Sequence, residues 1–376
     1  MRLRYILAVG MPLLLTTIAI PAGPARADGV RNDQWYLKNL RISEAHAITK
    51  GSGVTVGVVD TGSYPHPDLR SNLLAGKDLV AGQDGDGHSD QNGHGTNMAA
   101  VIAAHGRGNS GILGIAPDAK ILPVKTANSE KDASGDDLGK GIDWAAKNGA
   151  KVINVSGGSG PTFEIEDAVA NALDSDVVVV AAVGNAPESV VIDYPAAIDG
   201  VLVVGAVGRN GRHAAFSLDD PRVQICAPGE DITTAEPKSK YVDSNGTSPA
   251  TAIVSGAAAL VRAKFPQLSG PEVINRLTST ADDIGTPGRD KECGFGVLNI
   301  VKALTAEVPP VEGATASARP STTVPSASST AVPRSSGSTA APESSSSSVP
   351  LVLGVLVGLM VAAGLVLGLA VRRRRG

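Results

Sequence analysis

Gly53-Val54-Thr55-Val56-Gly57-Val58-Val59-Asp60-Thr61-Gly62 alternates and then runs apolar with β-branched residues, the pattern of a strand buried on both faces. Such a strand delivers Asp60 at its C-terminal end, into a Thr-Gly turn. Val177 to Val183 is a second apolar run and leads into Gly184-Asn185. Helical stretches lie between and after these strands. Asn92-Gly93 breaks the chain ahead of a Gly95 to Ala104 helix that carries His94 in its first turn. Thr247-Ser248-Pro249 opens another, Ala250 to Phe265, which is apolar nearly all round and is therefore expected to be buried. Ser269-Gly270-Pro271-Glu272 is a capping box at the head of a late helix. Aromatic residues make up only 3% of the chain. The core must then be Val, Ala, Ile and Leu, as parallel strands alternating with helices require. The expected fold class is α/β in three layers, a mostly parallel central sheet flanked by helices.

Three Gly-rich stretches place an aspartate, a histidine and a serine in that order: Val58-Val59-Asp60-Thr61-Gly62, Asn92-Gly93-His94-Gly95-Thr96 and Gly246-Thr247-Ser248-Pro249-Ala250. A serine hydroxyl is a poor nucleophile at its free pKa. Ser248 therefore needs His94 as general base, and His94 needs Asp60 to hold its tautomer and stabilise the imidazolium. The net charge of −4 and the lack of a basic patch outside the C-terminal block exclude a nucleic-acid partner. No cofactor is implied.

With the order Asp60, His94, Ser248, the chain resembles a subtilase. The segments Gly114-Ile115-Ala116-Pro117, Ile153-Asn154-Val155-Ser156, Tyr194-Pro195-Ala196, Ala227-Pro228-Gly229 and Gly294-Phe295-Gly296 match the family as well. The resemblance covers roughly Trp35 to Leu304 and implies a serine endopeptidase of subtilisin-like fold. It implies Asn185 as the side-chain oxyanion donor and Ser156, Gly157 and Gly158 as the segment lining the substrate cleft. Two departures stand out: Pro249 replaces the usual Met after the nucleophile with Ala252 where Pro is usual, and Ser156 lacks its usual following Leu. Side-chain preference for the substrate is therefore not transferable from relatives.

The ends suggest where this chemistry takes place. Arg2 and Arg4 precede an apolar run from Ile6 to Ile20, and Ala25-Arg26-Ala27 offers a small-x-small cleavage site, so residues 1–27 read as a secretory signal peptide. Residues 28–50 form a short extension, a single apolar-containing segment around Trp35 to Ile42 that must pack on a catalytic domain at 51–306. It leaves no room for a folded inhibitory prodomain. Residues 307–348 are dominated by Ser, Pro, Thr and Ala and are expected to be a disordered linker. Val349 to Val371 is an uncharged segment of about 23 residues, long enough for a transmembrane helix. The arginines of the 372–376 tail place the C-terminus in the cytoplasm and the protease outside, at the cell membrane. This layout looks like the mycosins, membrane-anchored proteases of actinobacterial type VII secretion. That resemblance implies a protein or peptide substrate and the secretion membrane complex as partner. The alternatives are a general surface subtilase and a mainly structural cap on the secretion complex.

Cys226 and Cys293 are the two cysteines of a domain expected in an oxidising or at least non-reducing exterior. A disulfide is one reading and two independently buried thiols the other. Asp84, Asp86 and Asp90 form an acidic Gly-rich loop that lacks the ligand spacing of an EF-hand and reads as solvated, with no metal. His66, between Pro65 and Pro67, reads as a packing residue.

Overall fold

The computed structural model describes residues 25–129 and 132–311. The expected signal peptide up to residue 24, most of the linker, the transmembrane segment and the arginine tail lie outside the described residues. Among the described residues no helix is long and apolar enough to cross a membrane.

The described chain forms helices α1 (Ala25–Asp33), α2 (Trp35–Asn39), α3 (Ile42–Ile48), α4 (His94–Ala103), α5 (Gly135–Lys147), α6 (Phe163–Asp174), α7 (Thr247–Lys264), α8 (Gly270–Ser279) and α9 (Ile300–Thr305). Its strands are β1 (Thr55–Asp60), β2 (Lys77–Asp78), β3 (His105–Arg107), β4 (Ser110–Leu113), β5 (Lys120–Lys125), β6 (Val152–Val155), β7 (Val178–Ala182), β8 (Leu202–Val207), β9 (Ile225–Pro228), β10 (Ile232–Glu236) and β11 (Lys240–Ser244). Seven strands make the central sheet in the order β2-β5-β1-β6-β7-β8-β9. Every pairing in it is parallel, while β3-β4 and β10-β11 are separate antiparallel hairpins.

Strand periodicity explains the three layers. Val56 and Val58 of β1, with Val178 and Val180 of β7, pack into one apolar cluster with α4 and α7. Val59, Val179 and Ala181 face the other way, into a cluster with α5 and α6. Successive side chains of a strand point to opposite faces, so a β-branched run buried on both sides needs a helical layer on each. Helix α7 is buried from Thr247 through Arg262, as its apolar sequence requires. Its last turn is tied down by Arg262, whose guanidinium donates to Asp176 Oδ2 (2.9 Å) and the Leu268 carbonyl (2.7 Å). The capping box of Ser269 and Glu272 forms as expected at α8.

The extension differs from the single segment expected. It folds into three short helices, and Tyr36, Leu40, Ile42 and Ala45 enter the same core as α4 and α7. Polar anchors complete the attachment: Arg31 Nε donates to the Gly111 carbonyl (2.8 Å), the Gln34 amide exchanges two bonds with the Leu113 backbone, and Tyr36 Oη donates to the Thr233 carbonyl (3.1 Å). A five-residue helix has little stability of its own, so it is this docking on β4 and β10 that orders the segment.

Cys226 and Cys293 are joined in a disulfide, with Cα atoms 5.0 Å apart. The bridge packs with Val207 in a small cluster of its own and ties β9 to the chain just ahead of α9.

Candidate active site

All the sequence-predicted site residues except the cysteines meet at one edge of the sheet. Asp60 is the last residue of β1, Ser156 follows the end of β6, and Asn185 lies three residues beyond β7. These strands are sheet neighbours and parallel, so their carboxyl ends open on a common crevice. His94 and Ser248 arrive from the opposite side, at the first turns of α4 and α7, two helices that pack on each other.

The His94 imidazole lies against the Asp60 carboxylate, Nδ1 at 2.8 Å from Oδ1 and 2.9 Å from Oδ2. Asp60 Oδ1 also accepts from the Thr61 backbone N–H at 2.7 Å. The carboxylate is 3% exposed and the imidazole 10%, so the pair interacts with little solvent screening. The approach depends on glycine: a Cβ on Gly95 would fall 2.0 Å from the Gly62 carbonyl oxygen, which would push the α4 terminus off the Asp60 turn.

Beneath this pair sits Asp90, 6% exposed. Its Oδ1 accepts from Thr61 Oγ1 (3.0 Å) and the Gly93 N–H (2.7 Å), and its Oδ2 from the Thr96 N–H (2.9 Å) and Thr96 Oγ1 (2.5 Å). Thr61 Oγ1 in turn accepts from the Gly95 N–H at 3.0 Å. One carboxylate thus knits the turn after Asp60 to the first turn of the helix bearing His94. It also offers an anion to the unpaired N–H groups of that terminus. Lys125, fully buried and opposite Asp60 in the β1–β5 register, donates from Nζ to the Thr61 carbonyl at 2.8 Å.

Ser248 Oγ donates to the Ser156 carbonyl at 3.0 Å, and Ser156 Oγ donates back to the Ser248 carbonyl at 3.2 Å. Asn154 Nδ2 donates to Ser156 Oγ, and Ser255 Oγ, two turns along α7, donates to Asn154 Oδ1. The helix bearing Ser248 is therefore stitched to β6. Asn185 Oδ1 accepts from both the N–H (2.8 Å) and the hydroxyl (3.1 Å) of Thr247. That fixes the amide's acceptor end and leaves Nδ2 as the end available to a ligand. Pro249 occupies the first turn of α7, where its missing N–H takes no intrahelical bond, and the Ser248 N–H is untouched by it. Among the described residues the N–H groups of Gly157 and Gly158 make no backbone hydrogen bond, so this segment presents an open edge to an extended chain. Gly157 borders two adjoining clefts, one walled by Asp60 and His94 and the other by Asn185 and Ser248.

The Subtilase family model matches residues 51–296 of this chain. The chain belongs to the subtilase family. It is 40% identical to Subtilisin DY of Bacillus licheniformis over 259 residues, 68% of this chain and 92% of that one. Among solved structures, MycP1 from Mycobacterium smegmatis superposes with a TM-score of 0.63 at 32% identity, covering 73% of this chain and 85% of that one. MycP3 protease from the type VII (ESX-3) secretion system gives a TM-score of 0.61 at 30% identity, covering 73% and 88%. This subtilase is accordingly a serine protease that hydrolyses peptide bonds.

Other sequence readings fall elsewhere in the subtilase. The acidic loop is not uniformly solvated: Asp84 pairs with Lys77 and Asp86 with His88, whereas Asp90 is the buried brace. Burial follows from the turn Asp90-Gln91-Asn92-Gly93, which folds its first residue back under the helix start. The signal was an acidic residue four positions ahead of the histidine, and a Gly-rich acidic composition masked it. Among the described residues no group of three His, Cys, Asp or Glu side chains converges as a metal site. His66 is fully buried, stacked edge-on against Tyr241 with ring centroids 5.2 Å apart, and burial lowers its pKa, which keeps it neutral. Its neighbour Asp68 accepts from Arg107 Nε (2.7 Å), Tyr241 Oη (2.8 Å) and the Ile112 N–H (2.9 Å). Burial and that carboxylate push the Tyr241 hydroxyl up to about 12. None of the residues lining the two clefts that Gly157 borders comes from the extension helices α1 to α3.

Proposed function

We propose that Asp60, His94 and Ser248 form the charge-relay triad of an extracytoplasmic endopeptidase, with Asn185 Nδ2 and the Ser248 N–H as its oxyanion hole. The observation that carries this reading is the two-oxygen seat of His94 Nδ1 on buried Asp60, opposite a cleft shared by Ser248 and Asn185. With Nδ1–H committed to Asp60, the other ring nitrogen is the basic one. It accepts the Ser248 proton as Oγ attacks the scissile carbonyl, then passes it to the leaving amine; water repeats the sequence to release the acyl group. The developing oxyanion is met by two preorganised donors at the positive end of α7. Ser156, Gly157 and Gly158 pair with the substrate backbone on the acyl side.

The physiological setting we propose is that of a mycosin: exported by residues 1–27, tethered by the Ser/Pro-rich linker 307–348, and held in the cell membrane by a helix over 349–371 with the arginine tail in the cytoplasm. Support comes from the sequence layout and from the likeness to MycP1 and MycP3, the latter a protease from a type VII secretion system. A serine-reactive fluorophosphonate tests the chemistry. Labelling should require Ser248, and a wild-type protein that stays unlabelled would reduce the domain to a structural role. Affinity purification of the membrane-extracted full chain tests the setting: secretion-channel subunits should accompany it, and their absence would favour a general surface protease.

A further inference from the structure

The cleft beside Ser248 is about 580 Å³ in volume and is walled by Ser156 to Gly158 on one side and by Gly184 to Ser189 on the other. Its charged lining residues are Glu188, exposed at the rim, and Asp193; no Lys, Arg or His borders it. Asp193 is held in place by a short antiparallel bridge, the Tyr194 N–H donating to the Ser159 carbonyl (2.9 Å) and the Ser159 N–H to the Tyr194 carbonyl (3.0 Å). Its side chain lies against the bare backbone of Gly158. A Cβ there would come 2.6 Å from Asp193 Cβ and 3.3 Å from Oδ2, so glycine at 158 is what admits the carboxylate to the wall.

Several carboxylates elsewhere in the molecule have a cation within the fold. Asp68 meets Arg107, Asp176 meets Arg262 and Asp220 meets Arg222. The partly buried Asp193 side chain has no hydrogen-bond or ion-pair partner among the described residues, and burial, with no cation to offset it, pushes its carboxyl up. A desolvated carboxylate without a counter-ion costs stability unless a ligand supplies one. A cation carried into the cleft by a ligand would give this side chain the partner the fold does not.

We propose that Asp193, with Glu188 at the rim, makes this protease select arginine or lysine as the residue that donates the scissile carbonyl. The reasoning rests on the serine-protease reading above. A peptide acylating Ser248 with its backbone along Ser156 to Gly158 projects that residue's side chain into this cleft. A guanidinium or ammonium there forms charge-assisted hydrogen bonds to Asp193 and displaces little protein charge. An acidic side chain meets two carboxylates, and an apolar one covers Asp193 without answering its charge.

The test uses the purified full-length protein and peptides that differ only at the residue before the scissile bond: Arg, Lys, Met, Gln and Glu. Fluorophosphonate titration of Ser248 normalises active enzyme. Arg and Lys peptides should exceed Met by about tenfold or more in kcat/KM, with Glu the poorest. Asp193→Asn should collapse the Arg-to-Met ratio by about ten- to a hundredfold, and Asp193→Lys should turn the preference toward Glu. If a variant does not fold, the wild type decides alone: an arginine peptide aldehyde should block labelling at lower concentration than its methionine counterpart. Equal rates for Arg and Met, equal protection by the two aldehydes, a ratio untouched by Asp193→Asn, or Gln matching Arg would each overturn the assignment. Wild-type protein that the fluorophosphonate does not label would instead fail the protease reading beneath it.

Discussion

Replacing Asp90 by asparagine keeps the side chain's size and removes the charge that draws the α4 terminus, and with it His94, to the Thr61 turn. Each carboxylate oxygen accepts two bonds, from Thr61 and Gly93 on one side and twice from Thr96 on the other. Whichever way an amide is placed, its NH2 faces one backbone N–H and one threonine hydroxyl; the hydroxyl can turn to accept, but the N–H cannot, so one of the four bonds is lost and a buried N–H is left facing a donor. Bonds to a charged group are worth about 1.5 to 3 kcal/mol each. The loss is therefore about 1.5 to 3 kcal/mol in a site too buried for water to repair freely. For a domain of this size that corresponds to a fall of roughly 3 to 12 °C in melting temperature. The more telling effect is on the fraction that stays folded. With the α4 terminus no longer drawn to the Thr61 turn, His94 shifts on Asp60, and a misplacement of about 1 Å costs on the order of a hundredfold in turnover. Asp90 borders neither cleft shared by Gly157, so KM should hardly move. The assay is kcat and KM on fluorophosphonate-titrated enzyme, with the acid limb of the pH profile recorded alongside as a readout of His94. A variant that melts lower but turns over within twofold of wild type, on an unchanged acid limb, would refute the positioning role.

Ser248→Ala and His94→Ala should each abolish nearly all peptidase activity, and the double variant should be little worse than either in the same assay, because the groups act as a unit; strict additivity would break the triad. Asn185→Ala should lower kcat by about a hundredfold or more with KM nearly unchanged, a magnitude established on subtilisin itself and taken over here; unchanged turnover would place the donor elsewhere. The Cys226–Cys293 bridge closes a loop of 67 residues. On the chain-entropy account, reduction should destabilise the fold by about 4 kcal/mol, seen as a lower melting temperature with fluorophosphonate labelling intact below it. The preference for arginine before the scissile bond should also depend on pH. Burial raises the Asp193 carboxyl above the usual aspartate range, so it is neutralised earlier as pH falls, and the Arg-to-Met ratio should drop through a midpoint above that of an ordinary aspartate. The ratio cancels the protonation of His94; a wild-type ratio as flat in pH as that of Asp193→Asn would contradict the assignment.

Sequence by itself determined what is local and periodic. The runs around Val56 to Val59 and Val177 to Val183 declare buried strands because both faces are β-branched, and two such faces require helices above and below. The settings of Asp60, His94, Ser248 and Asn185 were legible because a turn or helix start in a Gly-rich stretch is a short-range property, and the order of the first three carries the family. The disulfide stood as one of two readings, since spacing along the chain does not say whether two cysteines meet. Tertiary structure decided that pairing, through the docking of the segment before α9 on β9. It decided that Asp90 is a buried brace and not a solvated acid, because only the folded approach of the Thr61 turn to Thr96 supplies four donors to one carboxylate. It resolved the extension into three helices, each too short to hold without the surface it covers. It also placed Asp193 beside Gly158, residues 35 positions apart in the chain. Charge and burial at that wall arise from a backbone approach between two loops, and no periodicity in either loop records which side chain the other will meet.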